Sequence, residues 1–177
     1  RVAEGTTSSH VGTFNFNGGT LRALIGTTTF MQGLDSALVK GGGAVIDSNG
    51  QNVTIAQALL DGGGGGGLTK NGGGILVLSG ANTYTGATTV GGGALRAASN
   101  GALGAGTTAS VAAGTRLELD GGVTISGKIV TISGDGGNVY GALQSSSNHV
   151  NTWAGDVVIG SSSNTRIGAA AGTLAVT

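Results

Sequence analysis

A short unit recurs along this chain of 177 residues: a Gly turn, a small or polar residue, then apolar positions in alternation. It reads Gly19-Thr20-Leu21-Arg22-Ala23, Gly43-Ala44-Val45-Ile46-Asp47, Gly74-Ile75-Leu76-Val77-Leu78 and Gly93-Ala94-Leu95-Arg96-Ala97, and returns at Gly114 to Leu119 and Gly172 to Val176. The intervals between these glycines are 24, 31, 19, 21 and 58 residues, the last wide enough to hold two or three further turns. An irregular period of about 20 to 30 residues marks a solenoid, whose repeats bury their apolar faces only by stacking on one another. Second strands of the same character lie between these units, at Val53 to Ile55, Thr88 to Val90, Ala109 to Val111, Val123 to Ile125, Ile129 to Ile132 and Val157 to Ile159. Two or three strands per repeat imply coils with two or three flat faces.

Composition decides which solenoid. Gly supplies 39 residues, Pro and Cys are absent, charged residues make up 9% and aromatics 3%, which leaves too few large side chains for a conventional core. Disorder is the first rival, yet disordered chains are poor in β-branched residues, and Val, Ile and Thr recur here throughout. Collagen is excluded by the missing Pro and the lack of a three-residue Gly period. The expected fold is all-β, a right-handed parallel β-helix (β-solenoid) of roughly eight coils forming one continuous unit over residues 1–177. With about 22 residues per coil and about 4.8 Å between coils, the rod would be about 40 Å long. Side-chain alternation turns Leu117 and Leu119 inward and leaves Arg116, Glu118 and Asp120 on the outer face, and it buries Phe14 with Phe16. The only segment expected to tolerate a helical turn runs from Gln57 to Asp61.

One segment goes beyond pattern: Gly66 to Leu95 reads GGLTKNGGGILVLSGANTYTGATTVGGGAL. Through Gly67-Leu68-Thr69-Lys70, Leu76, Leu78-Ser79-Gly80, Asn82-Thr83-Tyr84-Thr85-Gly86, Thr88-Thr89-Val90, Gly93 and Leu95 it resembles the autotransporter-associated β-strand repeat. Such repeats build the passenger regions of large proteins exported across bacterial outer membranes. Ile75 stands where that family more often has Thr, and Gly91 to Gly93 is unusually Gly-rich. The resemblance implies a right-handed parallel β-helix outside the cell or on the bacterial surface, and the motif brings no catalytic residues with it.

Reactive chemistry finds little to work with. The formal charge is zero, with 8 basic and 8 acidic residues scattered singly, so there is no electrostatic footprint for nucleic acid. No apolar run approaches the roughly 20 residues of a membrane-spanning helix. Lyases and glycosidases need carboxylates converging on a groove, and of Glu4, Asp35, Asp47, Asp61, Glu118, Asp120, Asp135 and Asp156 the best pair is Glu118 with Asp120. We read that pair as an outward ion-pair patch with Arg116. His10 and His149 have no nucleophile-elbow motif to serve, and both are expected in solvent. Gly62 to Gly67 lacks the following Lys-Ser/Thr of a phosphate loop and reads as a turn between coils. Gly134 to Asn138 resembles a single copy of a Ca²⁺-binding nonapeptide turn, where several stacked copies are needed. Regular Thr-x-Thr repeats, which would order water into an ice-binding face, are missing. No catalytic residue, cofactor site or metal site is assigned.

Trp153, set among Asn148, His149, Asn151 and Thr152, is the one large aromatic in polar surroundings, suited to stacking on a sugar but read first as capping a coil or sitting in a contact between subunits; with His149 and Tyr140 it forms the candidate set for surface or partner contact. Residues 1–11 and 172–177 look like ordinary coil sequence without a charged plug, so both ends are expected to pair with further coils. The partner is then the chain itself, stacked head to tail, or the rest of a longer chain from which a polypeptide opening on Arg1 was processed. The functional expectation is an extracellular structural solenoid element and not an enzyme. An adhesin module binding glycan or host surface comes second, and a polysaccharide lyase or hydrolase third.

Overall fold

Every strand pair among the described residues runs parallel, because each strand turns a corner onto the next face and meets its pairing partner one coil later. The computed structural model describes residues 12–177, so the expectations placed on Glu4, His10 and residues 1–11 lie outside it. Three faces result. The first carries β2 (Thr20–Arg22), β5 (Ala44–Asp47), β8 (Leu68–Asn71), β10 (Thr88–Val90), β12 (Thr108–Val111), β15 (Ile129–Ile132) and β17 (Val157–Ile159). The second carries β3 (Thr27–Met31), β6 (Val53–Ile55), β9 (Ile75–Leu78), β11 (Ala94–Ala97) and β13 (Arg116–Leu119), then the starts of β16 (Leu143–Ala154) and β18 (Ile167–Val176). The third begins with β1 (Thr13–Phe16), β4 (Ser36–Val39) and β7 (Leu59–Asp61) and resumes at β14 (Thr124–Ser126).

Because β13 pairs with Leu143 to Ser145 of β16 while β14 pairs with Thr152 to Ala154, β16 runs unbroken round the corner between the second and third faces. β18 follows it round the same corner, with register shifts around Ser145 and Ser146. Between β7 and β14 the third face has no regular strand. There Thr83 N donates to Leu59 O at 2.9 Å and Ala105 N to Tyr84 O at 2.8 Å, so coil-to-coil bonding continues without regular β geometry.

The core is a set of vertical columns. Leu76, Leu95, Leu117 and Leu143 stand in register on successive coils, none more than 1% exposed. Burying one such Leu is worth about 1.5–3 kcal/mol, and the column repeats that gain in every coil. Corners are where Gly is needed: Gly74 takes φ 80 on entering β9, and a Cβ there would collide with the backbone of Gln51 in the coil below.

The all-parallel β-solenoid follows the sequence expectation, with corrections of detail. It makes about seven turns, not eight. Coil length ranges from the 19 residues between Leu76 and Leu95 to the 28 between Ile125 and Trp153, and seven turns at about 4.8 Å each bring the rod nearer 34 Å. The recurring Gly units also occupy different faces: those at Gly19 and Gly43 build the first, those at Gly74, Gly93 and Gly114 the second, and the one at Gly172 lies in the third-face part of β18. The 31-residue interval is therefore one coil plus a change of face. Gln57 to Asp61 forms no helical turn; Leu59 is fully buried in β7, and Asn82 Oδ1 holds its N–H from the coil above. Phe14 and Phe16 meet edge to face at 4.7 Å, with Phe16 buried and Phe14 half-buried.

Candidate functional site

Alternation on β13 sends Glu118 outward, yet its side chain is only 3% exposed. The coils above and below cover it, since Arg96 and Gln144 stand in register on either side. Arg96 approaches Glu118 Oε2 at 2.7 Å, Arg116 Nε donates to Oε1 at 2.6 Å, and Gln144 Nε2 reaches Oε1 at 3.3 Å. Asn138 Nδ2 in turn donates to Gln144 Oε1 at 3.1 Å, and Arg96 extends to Asp120 Oδ2 at 3.7 Å. Both oxygens of Glu118 are thus occupied by guanidinium groups. A general acid or base must present a free oxygen to a substrate, so the arrangement works as an ion-pair clasp across three coils. The outward patch with Arg116 is as expected; its burial is not.

The contact candidates separate. Trp153 lies inside the solenoid at 0% exposure, in register with Ile125 and Val176, and its Nε1 donates to Asp156 O at 3.3 Å. Its expected place on the surface is therefore corrected: β16 carries it past the polar Asn148 to Thr152 stretch and back to an inward position. Tyr140 is 45% exposed just before the second face, and His149 is exposed at the far corner of the same coil, its Nδ1 3.4 Å from Ser147 Oγ. The second face lies between them, so the three do not form one site.

Four buried polar residues to which the sequence reading gave no structural role bond across the interior. Lys70 is fully buried in β8, in register with Ile46 and Val90, and at the corner after the first face its Nζ donates to Asn71 O at 2.9 Å, Gly72 O at 2.7 Å and, in the next coil, Gly92 O at 2.9 Å. Burial pushes its ammonium down to about 8, opposed by the Asp47 carboxylate. Lys128 is also buried and donates to Gly104 O at 2.9 Å and to Gly106 O; burial lowers its pKa as well. Asn82 accepts from Leu59 N at 2.8 Å and donates to Ala102 O at 2.6 Å, joining the coils on both sides where no strand exists. Asn151 Oδ1 receives Gly122 N at 2.9 Å and Val123 N at 3.0 Å. Nearby, Tyr84 Oη and Thr88 Oγ1 lie 2.8 Å apart inside the core, and burial raises the phenol pKa. A lone Lys or Asn at an inward position of an alternating run, as Lys70 is in Leu68-Thr69-Lys70, is the sequence signal that would have found them.

Two surface cavities lie among the described residues. A cavity of about 320 Å³ is lined by Phe14, Phe16, Leu21 and their neighbours, none titratable. Another of about 310 Å³ holds Lys128 and Asp156. Asp135 Oδ1 accepts Gly137 N and Asn138 Oδ1 accepts Tyr140 N and Gly141 N, so the Gly134 to Asn138 turn is closed by its own backbone. Among the described residues no three His, Asp or Glu side chains group as metal ligands, and no helix is long and apolar enough to cross a membrane.

The buried Lys70, Asn82 and Tyr84 and the strands β8 to β11 fall in one stretch. Residues 68–97 match the family model of the passenger-associated-transport repeat. This passenger-associated-transport repeat covers one full coil and the first two strands of the next, close to the segment at 66–95 singled out by its motif. It is a structural passenger repeat rather than an enzymatic one, and it points to an exported, surface-associated setting. No curated protein and no solved structure matches the chain.

Proposed function

We propose that the chain is an extracellular structural rod, a stretch of exported passenger solenoid whose ends pair with like coils. One observation carries this reading: the passenger-associated-transport repeat at residues 68–97 sits inside a continuous stack of parallel coils, and the polar groups described above are spent on coil-to-coil bonds. Glu118 is clasped by two arginines and Trp153 is enclosed, which leaves the lyase and glycan-stacking readings without their principal residues.

Electron microscopy in vitreous ice tests the proposal together with a glycan array. The expected result is uniform rods about 34 Å long for each copy and no glycan retained above background. Specific glycan binding by the folded chain would replace the structural reading with the adhesin one.

A further inference from the structure

Four Asn residues stand directly before a Gly: Asn17, Asn49, Asn71 and Asn100. Such a pair is able to close a five-membered ring, because Gly has no Cβ to hold its amide nitrogen away from the side-chain carbonyl of the residue before it. Closure requires the Gly N–H to be free to lose its proton. A donor already on Asn Oδ1 speeds the step, since negative charge develops there as the nitrogen attacks. The fold grants these two conditions unequally.

At Asn17 and Asn49 the nucleophile is tied up: Gly18 N donates to Gly43 O at 2.9 Å and Gly50 N to Gly73 O at 3.0 Å. Asn49 is held further, by Arg22 on its Oδ1 and by its own Nδ2 donating to Ala23 O at 3.1 Å. Gly72 N meets no acceptor among the described residues, and the Lys70 ammonium on Asn71 O favours loss of its proton. Asn71 Oδ1, however, receives no donor among those residues, and the Asp47 carboxylate occupies the place a Gly72 Cβ would take, where it opposes the developing charge. Asn100 meets both conditions. It is exposed and shares the centre of a β-turn with Gly101, closed by Ala102 N on Ser99 O at 3.1 Å, just after β11. The Gly101 N–H meets no acceptor among the described residues, while Thr124 N of the next coil donates to Asn100 Oδ1 at 2.9 Å.

We infer that Asn100-Gly101 is a site of spontaneous covalent modification, where Asn100 converts through a succinimide to aspartate and isoaspartate, with water as the co-reactant, ahead of the other three pairs. Gly101 N gives up its proton and attacks Asn100 Cγ, with the Thr124 N–H bearing on the oxygen that turns anionic. A new C–N bond forms, the bond from Cγ to Nδ2 breaks, and the proton passes through water to the departing nitrogen, which leaves as ammonia. Water then adds to either imide carbonyl and opens the ring. In the isoaspartyl product the main chain runs through the former side chain, so the Thr124 N–H loses its acceptor. One coil-to-coil bond is thus released on the stretch of the third face that has no regular strand.

Timed incubation of the folded chain in mildly alkaline buffer, followed by peptide mapping with mass spectrometry and enzymatic methylation of isoaspartate, tests this. Asn100 is expected to convert at least about tenfold faster than Asn71, Asn17 and Asn49, and the four rates are expected to converge in concentrated urea, where only the shared Asn-Gly sequence remains. Gly101→Ala is expected to lose most of the Asn100 conversion while circular dichroism still shows a β-sheet spectrum. The added Cβ blocks the attack yet stands 3.2 Å from Ala81 Cα, a contact that a small shift relieves. Equal rates at the four pairs in the folded chain overturn the inference. So does a lead of Asn100 that persists unchanged in urea, which would assign it to local sequence and not to the fold, or conversion at Asn100 undiminished in Gly101→Ala.

Discussion

Asn82 stands where the third face has lost its strand, and its carboxamide replaces two bonds of the missing ladder. Leu59 N–H, below it, and Ala102 C=O, above it, are both buried and both meet the Asn82 side chain. Asn82→Ala removes both partners, and Asn82 itself is only 5% exposed, so little water enters to replace them. A buried backbone group left without a partner costs about 1–3 kcal/mol. Two such groups give an expected loss of about 2–6 kcal/mol, a large share of the 5–15 kcal/mol typical of a folded domain. Urea unfolding followed by circular dichroism measures the total, and hydrogen exchange at Leu59 N–H measures the local part, because that amide should lose its protection first. Asn82→Asp separates the two bonds: the carboxylate still accepts from Leu59 N–H but cannot donate to Ala102 O. Its protonated form regains the donor, so this variant should gain stability as pH falls toward 5 while the parent does not. A loss below about 1 kcal/mol in Asn82→Ala, with Leu59 exchange unchanged, would refute the claim that the carboxamide substitutes for the ladder.

The Lys70 ammonium, at about 8 when folded and 10.5 when unfolded, makes the unfolded chain bind the extra proton between those values. Its contribution therefore rises with pH from 8 upward, and urea midpoints measured from pH 8 to 9.5 should increase. Lys70→Met should reduce that slope without abolishing it, since Lys128 is shifted in the same direction. A Cβ at Gly86 would overlap Gly65 O and Gly67 N of the coil below, whereas at Gly19 it meets nothing within 4 Å. Gly86→Ala should cost at least about 2 kcal/mol and Gly19→Ala less than about 0.5, compared by thermal melts. Trp153→Ala opens a large void in the core and should cost about 3–5 kcal/mol by chemical denaturation, as befits a core residue and not a surface anchor.

How far the sequence reached can be traced face by face. The strands at Val53 to Ile55, Thr88 to Val90, Ile129 to Ile132 and Val157 to Ile159 were legible because alternation of apolar and small polar residues is a local signal, and all four stand where that signal puts them. Face assignment was not legible, because a Gly turn followed by an apolar pair looks the same on any face; only pairing shows that the Gly43 unit and the Gly74 unit belong to different sheets. Trp153 was misplaced for a related reason. Its polar neighbours suggest an exposed contact, but β16 continues through them as one strand and places the ring inward, in register with Ile125.

The residues whose role escaped the sequence reading share a physical cause. A solenoid of small side chains has ample hydrogen bonding along its faces, and its difficulty lies at corners and strandless stretches, where backbone groups turn inward without a ladder. Gly solves the steric part of that difficulty and leaves the electrostatic part unsolved. Lys70 and Lys128 supply donors to carbonyls turned into a corner, while Asn82 and Asn151 supply acceptors to amides that have lost a strand partner. A residue that bridges coils in this way fixes their vertical register as well as their energy, because its partners lie in the coils next to its own. Three of the motif residues in the passenger-associated-transport repeat, Lys70, Asn82 and Tyr84, are of this kind, buried and bonded across or within coils. What marks the repeat in sequence is thus the set of polar groups that holds one coil at a defined height above another, and a surface ligand need not be invoked to account for any of them.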